Sequence, residues 1–521
     1  MTTLKHIENQ RQELQVKLDD LKTQGERNVM GQYSTPIALA NDILTHAKNI
    51  MPKSGKIRFL DPAFGTGSFF SALNNIFPSS RIEAATGYEI DEHYGKPASQ
   101  LWSKTKLNIQ LKDFTKQTPL LEDEKYNLII CNPPYVRHHH LKGQKERLQA
   151  KALASANMNL SALSGLYCYF LALSHTWMKK NGIAGWLIPS EFMDVNYGRA
   201  VKNYLLNEVT LLQVHRFDPN DAQFEDALVS SAVVWFKNKK PSKNHKVKFT
   251  FGGTIDNPMH EKEVSSHVLA TENKWTRFPL SDERQVNGEP KLSDFFSVKR
   301  GIATGDNKFF VLTREEIESR SLPIGQFRPI LPSPRYLKIT EVKADENGFP
   351  DIENQLFVLD CKLPFDEVKR LHPELYSYLE EGIQSGVSER YLCKHRKIWY
   401  AQEKRLESQF YCTYIGRSDK EGKKPFRFVL NRSNAIVANS YLILYPKPEL
   451  EKEIYKAPEL NERLLEALNS ITGKAMLDEG RVYGGGMHKM EPKELANVPA
   501  TEIQKLFDGG SGQLPTGVCV A

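Results

Sequence analysis

The 521-residue chain has no apolar run long enough to cross a membrane, and its opening stretch, MTTLKHIENQRQELQVKLDD, lacks a signal-peptide core. A soluble cytoplasmic protein with no membrane partner is expected. Its 6 cysteines (Cys131, Cys168, Cys361, Cys393, Cys412 and Cys519) are scattered without a CxxC pair, which argues against a disulfide framework and a structural zinc. Free thiols and no metal site follow. Charge of one sign is also scarce: 70 Lys+Arg against 63 Asp+Glu leave +7, compatible with a polyanionic partner without requiring one. Neither G-x-G-x-x-G nor the Lys-Ser/Thr pair of a phosphate loop occurs in the glycine loop, so nicotinamide and nucleoside-triphosphate readings lose ground.

What is present centres on LIICNPPYV, Leu128 to Val136. Four hydrophobic residues, Leu128 to Cys131, run straight into Asn132 and two prolines, the pattern of a buried strand stopped at the rim of a sheet. Neither proline has an N–H, so the carbonyls of Asn132 and Pro133 are free to face a ligand. With the Asn132 side-chain oxygen, they suit a group carrying two N–H donors, such as an exocyclic amine, and Tyr135 offers a flat face beside them. A bare Pro-Pro would indicate only a turn; the full Asn-Pro-Pro-Tyr after an apolar strand favours a site.

Upstream, residues 4 to 24 place Ile7, Leu14, Leu18 and Leu21 at helical spacing, a helix packed on the body of the protein. In GQYSTPIALANDIL, Ser34 or Thr35 is the expected N-cap and Pro36 the first helical residue. KIRFLDPAFGTGSFFSAL reads as strand, acid, glycine loop and helix, with Asp61 at the strand end and Gly65 and Gly67 letting backbone pass close to a ligand. The next strand ends at Glu89, placed to accept from ribose hydroxyls. Asp113 closes another short strand and is placed to accept from an adenine amino group, with Phe114 packing on the ring. Each acid alone reads equally as a cap or surface group, but three at successive strand ends of a β/α alternation point to one crevice.

Downstream, the triple histidine of VRHHHLKGQKERLQA reads as a substrate-side loop, because adjacent side chains diverge and no other ligand is suitably spaced. FEDALVSSAVVWF puts Phe224 in a polar loop before a hydrophobic strand. KNKKPSKNHK is a charged turn near a domain boundary. Between Arg390 and Arg432 stand 12 Lys/Arg against 4 Asp/Glu, interleaved with eight aromatics, a nucleic-acid footprint or a folded core under a basic surface. The expected organisation is an N-terminal helix over 1–29, an α/β domain over 30–250, a second domain over 251–505 and a disordered tail over 506–521.

The order Thr35-Pro36, DPAFGTG, Glu89, Asp113, NPPY and a variable C-terminal region resembles the gamma class of DNA adenine-N6 methyltransferases of type II restriction-modification systems, with a TaqI-like specificity domain. GQYSTP resembles motif X, DPAFGTG motif I, GYEID motif II, KDF motif III and NPPY motif IV; VKRGIATGDNKFF and GGGMHKMEPKEL resemble landmarks of the specificity domain. The GTGS ending of motif I is a modest departure. The resemblance implies a Rossmann-like class I methyltransferase domain with a mixed seven-stranded α/β sheet, followed by an α+β DNA-specificity domain.

It further implies S-adenosyl-L-methionine as cofactor, held by Thr35, Asp61, Ala63, Gly65, Gly67, Glu89, Ile90, Asp113, Phe114 and Asn132. Asn132, Pro133 and Tyr135 would act on an adenine flipped out of double-stranded DNA, with Phe224 at the position of the aromatic that stacks on it. The enzyme would work as a monomer on DNA and protect sites from a separately encoded restriction endonuclease. Two rivals remain: an NPPY methyltransferase acting on RNA or a protein glutamine, and a non-catalytic DNA-binding specificity subunit.

Overall fold

Alternation of apolar strands with amphipathic helices builds one large sheet around the NPPY strand. The computed structural model describes residues 2–119, 121–141, 143–218, 230–280, 289–417, 424–483 and 487–508. The chain divides into two compact units, one of residues 1–285 with 483–485 and one of 286–482 with 486–521.

In the first unit, α1 (Thr2–Asp20), α2 (Gln24–Met30) and α3 (Ile37–Ile50) precede β1 (Ile57–Asp61), α4 (Ser68–Ile76), β2 (Ile82–Tyr88), α5 (Glu92–Leu101) and β3 (Leu107–Gln110). Then come β4 (Tyr126–Cys131), α6 (Lys145–Ala156), α7 (Leu166–Ser174), β5 (Met178–Pro189), α8 (Arg199–Asn207), β6 (Thr210–Arg216), β7 (Ser231–Lys237), β8 (Lys246–Gly253) and β9 (Pro258–Ser265). The strands lie in the order β3-β2-β1-β4-β5-β7-β6-β8-β9. β1 to β5 run parallel, and β7 inserts antiparallel between β5 and β6.

Parallel strands are covered on both faces, so β4 reads as the near-continuous apolar run Leu128 to Cys131, all fully buried. The sheet has nine strands where seven were expected. The added pair, β8 and β9, carries the sheet past residue 250, because the charged run before Lys246 is a connection between two of its strands and the sheet resumes beyond it.

Three local expectations change. The N-terminal helix is two helices: Thr23 starts α2 with a capping box to Glu26, and Gly31 ends it at φ +64°. Pro36, not Ser34 or Thr35, occupies the cap position of α3 with no side-chain cap bond, since the Thr35 hydroxyl is engaged elsewhere. GLYCYFLALSHTWMKKNGIAGWLIP reads by sequence as a long apolar helix stopped at Lys-Asn-Gly before a strand from Ile183, but Lys-Asn-Gly lies within β5, which runs from Met178.

The second unit contains a five-stranded sheet ordered Phe296–Arg300, Tyr441–Pro446, Phe410–Thr413, Phe428–Asn431, Glu341–Val342. Of the aromatics between Arg390 and Arg432, Tyr400, Phe410, Tyr411, Tyr414, Phe426 and Phe428 are buried, so they serve the core. No helix among the described residues is long and apolar enough to cross a membrane. The five cysteines among the described residues are free and buried.

Candidate active site

Crossing from β4 into two prolines takes the chain out of the sheet at Asn132, as the missing N–H groups require. The Asn132 amide nitrogen donates to the Tyr33 carbonyl and to the Thr35 hydroxyl, each at 3.1 Å. Both of its N–H groups are thereby committed, which fixes which end of the amide is oxygen. That oxygen, Oδ1, is buried and has no hydrogen-bond partner. An unpaired buried acceptor costs about 1–3 kcal/mol, a cost that a ligand donating to it would remove. No described backbone amide donates to the Pro133 carbonyl. Tyr135 is held at both ends: its N–H donates to the Gly31 carbonyl at 3.1 Å, and its hydroxyl donates to the Leu187 carbonyl at 3.1 Å. Burial pushes the phenol well above its ordinary range, so it stays protonated.

Asp61 ends β1 only 1% exposed, and its Oδ1 accepts from the Ala63 N–H at 3.2 Å. Burial pushes its carboxyl up to about 8, and the neighbouring Glu89 charge adds to the rise. Glu89, just past β2, closes the glycine loop by accepting from Gly65 N–H at 2.9 Å and Asp91 N–H at 2.7 Å. Its pKa is also raised, first by burial, despite those two bonds. Gly65 adopts φ +57°, and a side chain built there would point into open space, whereas one at Gly67 would strike the Phe64 ring at 2.4 Å. Ile90 stands 58% exposed beside Glu89.

Asp113 caps a short 3-10 turn, accepting from the Thr115 N–H and hydroxyl at 2.9 and 2.7 Å. Phe114 is buried, with its ring 5.4 Å from that of Tyr88 and 5.7 Å from that of Trp177. Phe224 lies outside the described residues. The triple histidine forms a single 3-10 turn, His138–His140.

Sequence reasoning missed three participants. Gly31 touches the NPPY backbone so closely that a Cβ there would lie 2.4 Å from the Tyr135 nitrogen. Tyr33 supplies a main-chain carbonyl, which no side-chain pattern reveals. Arg11, only 3% exposed, pairs with Glu8 and donates to the Thr66 hydroxyl at 3.0 Å; Thr66 in turn donates to Gln15 at 2.6 Å. Helix α1 thus clamps the glycine loop. A signal existed: Arg11 falls on the same helical stripe as Ile7, Leu14 and Leu18.

A parallel sheet with the antiparallel β7 inserted beside β5, and carboxylates and a glycine loop at its carboxyl edge, defines a class I S-adenosyl-L-methionine-dependent methyltransferase. The residues fit that cofactor. Open space over Gly65, exposed Ile90, and buried carboxylates with accepting capacity left at Asp61 and Glu89 suit a cationic nucleoside with ribose hydroxyls.

Residues 69–224 match the Eco57I restriction-modification methylase family, and residues 272–510 match the C-terminal domain of type II methyltransferase M.Eco57I. These matches and the curated relatives support a type II restriction-modification methyltransferase. It is 24% identical over 487 residues to M.XamI of Xanthomonas campestris pv. amaranthicola, spanning 91% of this chain and 86% of that one. To M.AccI of Acinetobacter calcoaceticus it is 25% identical over 488 residues, spanning 90% and 85%. Among solved structures, the DrdV–DNA complex aligns at TM-score 0.46 and 14% identity over 90% of this chain and 55% of that one.

Proposed function

We propose that the protein methylates the exocyclic N6 of an adenine flipped out of duplex DNA, as a gamma-class enzyme of a type II system. The single observation that carries this reading is the Asn132 amide, with both N–H groups committed and Oδ1 buried and unpartnered. An acceptor so placed takes one hydrogen of an amine, and the Pro133 carbonyl takes the other. Adenine's amino lone pair is delocalised into its ring and weakly nucleophilic; drawing both hydrogens to fixed oxygens localises it. No strong base is required, since the amine becomes acidic once alkylated and its proton leaves to solvent.

S-adenosyl-L-methionine supplies an electrophilic methyl when bound. Asp61, Glu89, Ile90, Asp113, Phe114 and the backbone at Ala63, Gly65 and Gly67 would hold it. Thr35 and Asn132 would join them, with the Thr35 hydroxyl also holding the Asn132 amide.

Extruding the base costs a few kcal/mol. Tyr135 on one face, its hydroxyl tethered, and Phe224 on the other recover about 1–3 kcal/mol each. The order of motifs, with Thr35 and Asp61 before NPPY, supports the gamma assignment. A separately encoded nuclease as functional partner and action as a monomer belong to the same reading.

Asn132→Ala is the test. Methyl transfer to adenine should fall at least about a hundredfold in kcat, with cofactor and DNA affinity kept. Near-normal kcat would remove Asn132 from the reaction. Phe224→Ala should blunt the 2-aminopurine fluorescence rise that reports extrusion.

A further inference from the structure

Four cations of the basic stretch between Arg390 and Arg432 are paired inside its own unit: Arg390 with Asp306, Lys394 with Glu389, Arg405 with Glu403, and Arg432 with Glu341 and Glu462. A second element carries cations with no acidic partner among the described residues on a backbone held rigid. Residues 333–340, SPRYLKIT, form a loop whose backbone is pinned from below. Leu337 inserts into the apolar cluster of Tyr411, Val429 and Tyr441, and the Tyr441 hydroxyl donates to the Pro332 carbonyl at 2.8 Å. The Arg427 guanidinium donates to the carbonyls of Pro334 at 3.1 Å, of Leu337, and of Ile339 at 3.4 Å. One cation holds three carbonyls of a single loop.

The other face of that loop gains nothing from folding. Tyr336 is 74% exposed, Ile339 is 45% exposed, and Arg335 and Lys338 are exposed with no acidic partner among the described residues. The Arg335 guanidinium lies 5.8 Å from the Tyr336 ring centroid. A rigid backbone presenting unpaired cations beside an uncovered aromatic has already met the ordering cost that association would otherwise impose. The geometry points to a DNA-reading loop: Arg335 and Tyr336 contact base edges in a groove, and Lys338 contacts a backbone phosphate. The chemistry follows residue type, since the planar guanidinium can bond a guanine edge through two N–H groups and the ammonium acts as a point charge. This inference rests on duplex DNA being the substrate, and it assigns part of the choice of sequence to this loop.

The experiment uses the full-length enzyme, Arg335→Ala, Tyr336→Ala and Lys338→Ala, with unmethylated plasmid and genomic DNA as probe. Thermal midpoints confirm folding, methyl incorporation gives rates, and sequencing of the methylated DNA gives the site. Arg335→Ala should lower methylation of the wild-type site roughly tenfold and relax base identity at one position. Tyr336→Ala should relax the same or the adjacent position. Lys338→Ala should weaken binding evenly across sequences and lower the salt slope by about 1. Unchanged affinity, site and salt slope in all three variants would overturn the proposal while leaving wild-type DNA methylation intact. Uniform weakening by Arg335→Ala, with no change of site, would overturn its base-reading role. A wild-type enzyme that puts no methyl into DNA would remove the substrate reading and this loop's role together.

Discussion

The Thr35 hydroxyl accepts from the Asn132 amide nitrogen at 3.1 Å, so a residue 97 positions upstream helps hold the NPPY asparagine with its amide oxygen unpartnered. Thr35→Val removes one of two bonds that orient the amide, a loss of about 0.5–1.5 kcal/mol. A three- to tenfold lower single-turnover rate, roughly that energy, is expected, with Thr35→Ser restoring it. If Thr35→Val instead raises only the cofactor Kd, its hydroxyl acts on the cofactor and not through Asn132.

Gly31→Ala tests the joint between the end of α2 and the NPPY loop. The added Cβ would meet the Tyr135 nitrogen at 2.4 Å from a residue already at φ +64°. About 1–3 kcal/mol of destabilisation is expected, together with a fall in kcat as Tyr135 shifts. Calorimetry and rate measurements on the same preparation check it; a variant with unchanged Tm and rate would show that the two segments separate freely.

Arg11→Met leaves Glu8 and Thr66 without their buried partner. Breaking such a pair by removing one member costs on the order of 3–5 kcal/mol. The loss should appear as weaker cofactor binding as well as a lower Tm, because Thr66 lies within the glycine loop. Isothermal titration of the cofactor analogue S-adenosylhomocysteine separates the two effects.

Asp61 gives a pH dependence with a definite sign. Its folded pKa, about 8, lies above the unfolded value of about 3.9, so the folded state holds a proton that the unfolded state has lost between those limits. Asp61 therefore contributes most at low pH, and its contribution falls as pH rises toward 8. In the cofactor-free protein, Asp61→Asn should unfold at a higher temperature than wild type near pH 8, with the difference shrinking toward pH 4, while cofactor binding is lost. Melting curves across that range measure it; a difference independent of pH would mean that Asp61 is ionised in the free enzyme.

Much of the site lies in contiguous segments and is legible for that reason. β1 running into Asp61 and the glycine loop, β2 into Glu89, and β4 into NPPY are local strand-and-turn patterns, so composition and periodicity place them. Burial of six aromatics between Arg390 and Arg432 could not be read the same way, because a core and a nucleic-acid surface draw on the same residue types.

The amino-acid order by itself determined the parallel strands, the acids at their ends and the two prolines that stop β4, because each depends on neighbours along the chain. Only the tertiary structure decided that Asn132 leaves its amide oxygen and not its nitrogen unpartnered, that Gly31 abuts Tyr135, and that Arg427 shapes the loop carrying Arg335. Those arrangements join residues about a hundred positions apart through single hydrogen bonds or contacts, and such pairings leave no periodicity in a sequence.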